Sequence, residues 1–309
     1  MRTVLAVALL LAFVSGPASA QQGINWDAVQ IKTQKLDDNV YVLQFMGPGG
    51  AAGNAGGNVG AFIGADGIAI VDCGYAAAAP KLEAALKAIS EKPITYVLNT
   101  HWHGDHTEAD QYFGKTAVII AHENARKKMQ AGTTRFPPSP AVALARITFN
   151  DRITLHMKGG DLQGVHFDRG HTDTDTVYFF PGGRVVQTGD DFVNWPIPGF
   201  PAIEQDADGT GGVDGQIAAL EYILSRTPAD VKIIPGHGVV ASRDDAVKML
   251  AVLKDTRAAV LAGINQGKSL EQMKQEKAFA RWDYLNESHH IQSDVYFERL
   301  YKGLAVTRK

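Results

Sequence analysis

Cysteine is nearly absent: Cys73 is the only one in 309 residues. A single thiol excludes an internal disulfide and any zinc site built from several thiolates. A strong net charge is missing too. Thirty basic residues face 33 acidic ones, a formal charge of −3. No large positive field is there to recruit nucleic acid. No stretch beyond the first twenty residues is long and apolar enough to span a bilayer. Neither a lipidation cysteine nor a retention tail is present, and there is no internal repeat or long linker. What remains is 45% hydrophobic and 20% charged residues, ordinary globular usage with enough apolar material for a real core.

Residues 1–20 read as an export leader. Met1 and Arg2 give a charged start, and Val4 to Val14 is an apolar run of eleven residues, too short to cross a membrane. Ala18-Ser19-Ala20 then offers the small-x-small pattern of a cleavage site. Cleavage after Ala20 leaves residues 21–309 and, with Arg2 gone, a charge of −4. The expectation is a periplasmic protein with no stable membrane insertion after leader removal. An oxidising compartment fits a chain with one cysteine.

Along the remaining chain, strands and helices interleave, which makes the fold class α/β or α+β. Val40 to Phe45, Val59 to Ile63 and Ile68 to Val71 read as strands, the last two joined by the turn Gly64-Ala65-Asp66-Gly67. Pro80 opens a helix with Leu82, Leu86 and Ile89 at helical spacing. Ile94 to Leu98 and Ala117 to Ile120 are further strands, with a helix starting near His122. Ile153 to Leu155, Val165 to Phe167, Val177 to Phe180 and Arg184 to Gln187 continue the strands. Gly215 to Arg226 is an amphipathic helix and Val231 to Ile234 a strand. After Ser242 the pattern is helical, broken near Gly263 and Gly267. One domain over 21–265 and a helical extension over 266–309, packed on it, follow from this pattern.

The strongest chemical motif is His101-Trp102-His103-Gly104-Asp105-His106, directly after an apolar strand. On a loop, alternate residues converge, so His101 and His103 can share one metal while Asp105 and His106 face an adjacent position. Imidazole nitrogen and carboxylate oxygen suit zinc. His171, Asp190 and His237 each follow an apolar strand and each lie beside a glycine. Singly they are turn residues; with the hexapeptide they form a ligand inventory.

In this order, after Asp72 at a strand end, these residues resemble the metallo-β-lactamase superfamily over about residues 38 to 245. The resemblance implies an αβ/βα four-layer sandwich with a dinuclear site at one sheet edge. Carried over position by position, His101, His103 and His171 hold a first Zn2+, and Asp105, His106 and His237 a second. Asp190 bridges the two, as in the thioesterase-like and lactonase-like branches, with Asp191 as the alternative bridge. Asp72 orients the ligand loop. Cys73 does not match the thiolate position of one β-lactamase subclass and reads as a small buried residue. The full histidine run combined with a bridging aspartate mixes features of more than one branch.

Two zinc ions would provide a nucleophile of hydroxide strength near neutral pH without serine or cysteine, and no Gly-x-Ser-x-Gly element competes. The implied reaction is hydrolysis of an amide, lactam, ester, lactone or thioester in a small-molecule substrate, with Asp105 orienting water and relaying its proton. A β-lactamase-like activity, weak or promiscuous, leads. A lactonase, a thioesterase, or a zinc-binding accessory protein without turnover are the alternatives. Nucleic acid is excluded as a partner, and the oligomeric state is open. Trp102, Phe192, Trp195 and Phe200 are candidates for pocket walls or core. His122 reads as a helix cap, His156 and His166 as structural, and His289 and His290 as surface residues.

Seven glycines fall among the fourteen residues from Gly47 to Gly60. Gly47-Pro48-Gly49-Gly50-Ala51-Ala52 superficially fits a dinucleotide fingerprint, but a strand follows where a helix must. No Gly-Lys-Ser/Thr follows either. The cluster reads as a flexible hairpin tip between two N-terminal strands, and the resemblance implies that this hairpin hangs over the metals as a flap.

Overall fold

The computed structural model describes residues 24–47, 55–133, 136–203, 211–288 and 290–306. The expected leader at 1–20, residues 48–54 of the glycine-rich segment, and His289 lie outside them. The chain opens as an antiparallel meander of β1 (Gln30–Asp37), β2 (Val40–Met46), β3 (Val59–Gly64) and β4 (Gly67–Val71). β1 is absent from the sequence reading for a physical reason: of its eight residues only Leu36 is buried, so no alternation betrays it. The helix α1 (Ala79–Ile89) then leads to β5 (Ile94–Leu98), and the short helical turns α2 (Gly104–Thr107) and α3 (Asp110–Phe113) follow. β6 (Val118–His122), α4 (Glu123–Ala131) and β7 (Ile147–Phe149) complete the first half. β4 to β7 run parallel, and the seven strands lie in sequence order.

The second half places β8 (Arg152–Met157), β9 (Gly160–His166), β10 (Thr176–Phe179) and β11 (Val185–Gln187) in an antiparallel run. After α5 (Val213–Arg226), β12 (Lys232–Ile234) adds to the edge parallel to β11. Then come α6 (Arg243–Asn265), α7 (Leu270–Gln275) and α8 (Ser293–Val306).

The layer order follows from alternation within apolar runs. In β4, Ile68 and Ile70 join the core under α1 and α4, whereas Ala69 and Val71 join the core between the sheets. In β10, Val177 faces the helices α5 to α8 and Tyr178 faces the other sheet. Both faces of each sheet are therefore covered, which is why these strands are continuously apolar. Helices, sheet, sheet and helices make the four-layer αβ/βα sandwich. Among the described residues no helix is long and apolar enough to cross a membrane.

Ser242 starts α6 with a reciprocal capping box, its hydroxyl accepting from Asp245 N–H. The helical pattern breaks between Gly263 and Gly267, as expected, with Gly267 at φ +72°. α6 runs on to Asn265, and Gly263 sits inside it because the Met273 side chain from α7 packs where a Cβ would be. Tyr296 and Phe297 of α8 pack on Phe200, and the Tyr296 hydroxyl lies 2.7 Å from that of Thr256. The extension is thus part of the outer helical layer.

Candidate metal centre

Strand ends deliver the chemistry. β4 runs into Asp72, β5 into the segment holding His101, β11 into that holding Asp190 and β12 into that holding His237, and His171 lies in the loop between β9 and β10. All of these ends meet at one edge of the sandwich. Direct backbone bonds join the two halves there: Thr176 N–H donates to Thr100 C=O at 2.8 Å, and Asn58 N–H to Gly236 C=O at 2.8 Å.

The structure brings three groups together, each with ligand atoms within 4.8 Å of one another: His101, His103 and His171; His101, His106 and Asp190; Asp105, His106 and His237. In the first group His103 Nδ1 lies 3.1 Å from both His101 Nε2 and His171 Nε2. His106 Nε2 lies 3.3 Å from His237 Nε2. Asp190 stands between the groups: Oδ2 is 3.5 Å from His171 Nε2, and Oδ1 is 3.4 Å from His106 Nε2 and 3.5 Å from His237 Nε2. Asp105 Oδ2 is 3.0 Å from His237 Nε2. Asp105 and His106 lie on the first turn of α2, not on an irregular loop, because the chain turns helical immediately after His103.

The inward nitrogens are selected by the partners of the outward ones. His101 Nδ1 faces Thr100 Oγ1 at 3.1 Å, His106 Nδ1 faces Asp72 Oδ2 at 2.8 Å, and His171 Nδ1 faces the Ala202 carbonyl at 2.9 Å. Asp72 is fully buried. It accepts Thr100 N–H at 2.7 Å, the Thr100 hydroxyl at 2.8 Å and Gln187 Nε2–H at 3.3 Å. Asp191 turns away: its Oδ1 accepts His171 N–H at 3.0 Å, so the carboxylate among the imidazoles is that of Asp190.

Electrostatics separate the two sides. Burial, and then the His106 and His103 imidazoles, hold His101 well below the ordinary histidine range. Burial also opposes charge on His106 and His237, but there the carboxylates win. Asp105, Asp72 and Asp190 push His106 well up, and Asp190 with Asp105 raises His237. Burial disfavours the Asp190 carboxylate, yet His237, His106 and His171 hold it well below the usual range. Burial, with the neighbouring Asp190 charge, raises Asp191 to about 6, although the His171 N–H and Asp175 pull the other way. Asp190 Oδ1 is buried without a hydrogen bond, and neighbouring imidazole nitrogens face each other at 3.1 to 3.3 Å. Converging lone pairs beside an unmet carboxylate oxygen fit cations of the size and nitrogen–oxygen preference of zinc.

Two of the nearby glycines are there for close approach. A Cβ on Gly57 would lie 2.3 Å from the His106 ring, and one on Gly236 would lie 1.9 Å from Asp190 Oδ1. Residues 55–60 are buried, so this half of the glycine cluster is a packed root under the site and not a flap. Of the four candidate wall aromatics, Trp102, Phe192 and Phe200 are buried. Trp102 packs against the centre, its ring 4.7 Å from that of His103, and Trp195 reaches the rim, its ring 5.6 Å from that of His237 and nearly parallel to it. His290 stacks on Trp195 at 3.6 Å, so an expected surface residue of the C-terminal extension takes part in the rim. A cavity of about 380 Å³ beside the ligand loop is lined by Trp102, Phe136, Met129 and Pro138, a volume suited to a small molecule. His122 caps α4, accepting from Asn124 N–H, and its ring stacks on His166 at 3.9 Å across the two sheets.

Fold and site together define a class: a four-layer sandwich with a histidine–aspartate cluster where the strand ends of both halves meet. The chain belongs to the metallo-beta-lactamase superfamily, whose family model matches residues 52–249. The superfamily is mostly hydrolases and includes members that are not enzymes. A metallo-beta-lactamase from Pontibacter korlensis is similar in structure, with TM-score 0.58 and 17% identity over 73% of this chain and 99% of that one. DIM-1 metallo-beta-lactamase gives TM-score 0.58 and 17% identity over 74% and 99%. A double mutant of the sec-alkyl sulfatase PisA1 gives TM-score 0.58 and 16% identity over 80% of this chain and 45% of that one. At such identities the likeness shows the fold.

Proposed function

We propose that this protein is an exported, zinc-dependent hydrolase of a small carbonyl substrate, β-lactamase-like with broad and weak β-lactam turnover. The observation that carries the reading is Asp190, whose two oxygens face two separate groups of imidazoles. In it, His101 Nε2, His103 Nδ1 and His171 Nε2 hold one Zn2+, while Asp105, His106 Nε2 and His237 Nε2 hold a second, with Asp190 between. Zinc bound there supplies Lewis-acid polarisation of a carbonyl and activation of water near neutral pH. The chain's own contribution is orientation and proton handling. Thr100, Asp72 and the Ala202 carbonyl fix three imidazoles with the required nitrogen inward. Asp105 is part-exposed and stays ionised because His106 and His237 outweigh its burial, so its carboxylate can orient an attacking water and accept its proton. Export rests on the leader pattern of residues 1–20.

The sharing of one aspartate between both groups also favours a lactonase or thioesterase of the same fold as the second reading. The test is a panel of a chromogenic cephalosporin, lactones and thioesters on zinc-loaded protein comprising residues 21–309. Turnover of at least one class, abolished by chelator and by His103→Ala together with zinc content, is expected. Two bound zinc ions with no turnover on any class would replace the enzyme reading by that of a zinc-binding accessory protein.

A further inference from the structure

Of the three members of the second group, two sit on one helical turn and the third arrives from the other half of the chain. Asp105 and His106 belong to α2, while His237 follows β12. Their spacing therefore depends on how two distant segments are tied, and the tie is visible. Consecutive backbone N–H groups of Gly57 and Asn58 donate to Asp105 C=O at 3.0 Å and to Gly236 C=O at 2.8 Å. The Asn58 side chain adds two more bonds, Nδ2 donating to Pro235 C=O at 2.8 Å and to Gly238 C=O at 3.1 Å. Gln44 Nε2 donates to Gly238 C=O at 2.7 Å and to Asn58 Oδ1 at 3.2 Å. Carbonyls on both sides of His237 are thus captured by one asparagine and one glutamine, both buried. From the rear, Gln187 Nε2 donates to Asn58 C=O at 3.0 Å and reaches Asp72 Oδ2, the partner of His106.

We propose that Asn58, supported by Gln44, is a positioning residue that sets the His237-to-Asp105 geometry and thereby the affinity of the second metal position alone. The inference rests on the two-metal reading of the site. An asparagine amide supplies two N–H donors and one acceptor, and here all three are used. Aspartate has the same shape but no donor, and would set carboxylate oxygens against the Pro235 and Gly238 carbonyls. No hydrogen bond runs from Asn58 or Gln44 to His101, His103 or His171. The first group takes its support from Thr100, Asp191 and the Ala202 carbonyl instead. A general loss of structure would weaken both positions, so selective loss of one is the signature of positioning.

The experiment is stepwise Co2+ and Zn2+ titration of metal-free wild type, Asn58→Asp and Gln44→Met, read by calorimetry and by the Co2+ visible spectrum. Wild type takes up two equivalents. Asn58→Asp is expected to bind the first with unchanged affinity and the second at least about tenfold more weakly, the effect typical of a lost orienting partner. Gln44→Met, which leaves Asn58 Nδ2 on the Gly238 carbonyl, shows a smaller shift in the same direction and carries the test if Asn58→Asp does not fold. Equal weakening of both equivalents, or no change in either, overturns the proposal. Wild-type protein binding a single equivalent overturns the two-metal reading itself, and this is seen before any variant is compared.

Discussion

Replacing Asp72 by asparagine probes how the fold chooses the nitrogen that His106 presents. Asp72 has φ +61°, a left-handed conformation that asparagine tolerates as well as aspartate, so the exchange adds no backbone strain. Its carboxylate accepts Thr100 N–H on Oδ1, and on Oδ2 the Thr100 hydroxyl, Gln187 Nε2–H and the His106 Nδ1 proton. An amide in either orientation sets an NH2 against at least one fixed donor. The hydroxyl can rotate, but a buried donor left bare costs about 1–3 kcal/mol. The cheapest response is for His106 to move its proton to Nε2 and accept at Nδ1. Nε2 is the atom that faces His237 and Asp190, so the second metal position then loses a ligand. Loss of such an orienting partner typically lowers affinity 10–100-fold, about 1.4–2.7 kcal/mol by the usual conversion. Competition with a chromophoric chelator reads both steps, and nitrogen-15 shifts of the imidazoles report the tautomer. A variant with Nδ1–H retained on His106 and wild-type affinity in the second step would refute this reasoning.

Proton release should distinguish the two positions. In the metal-free chain carboxylates raise His106 and His237, whereas His101 is held well below the ordinary range. The second metal must displace protons, so its affinity rises with pH more steeply than that of the first. Calorimetry of each step in buffers of different ionisation enthalpy checks this. A second expectation concerns acid stability. Burial, and then the stacked His166 ring, lower His122 to about 4. Its neutral form is favoured in the fold, so the stabilisation is present above the unfolded value of about 6.5 and is lost as pH falls towards 4. Allowing for partial solvent contact, the loss is about 1–2 kcal/mol. His122→Asn, which keeps a cap acceptor, should flatten the urea-unfolding free energy between pH 7.5 and pH 5 by that amount; an unchanged slope would count against it. Gly57→Ala places a methyl against the His106 ring. It is expected to lower zinc content while the fold, followed by circular dichroism, persists.

Legibility in the sequence tracks burial and spacing. Strands buried on both faces, such as β3 and β4, announce themselves as apolar runs. β1, exposed along most of its length, and the three-residue β7 do not. The histidine hexapeptide is readable because its members lie within six residues and need no tertiary knowledge to be seen as a group. Asn58 and Gln44 were invisible as site residues because their partners lie 177 to 194 positions away and an isolated amide side chain has no pattern. Gly57 was hidden inside a glycine-rich segment whose obvious reading was flexibility, although this glycine is buried against a ring. Nothing in the spacing separates Asp190 from Asp191. The structure does so through His171 N–H, which takes the Asp191 carboxylate. His290 is exposed, as its polar neighbours imply, but only the structure shows that its ring stacks on Trp195 at the rim.

Anomalous scattering from zinc-loaded crystals at the zinc edge locates the metal positions without reference to activity. Two peaks per chain are expected, one among His101 Nε2, His103 Nδ1 and His171 Nε2, the other among Asp105, His106 Nε2 and His237 Nε2, with Asp190 between them. A single peak, or a metal coordinated by Asp191 in place of Asp190, would contradict this arrangement.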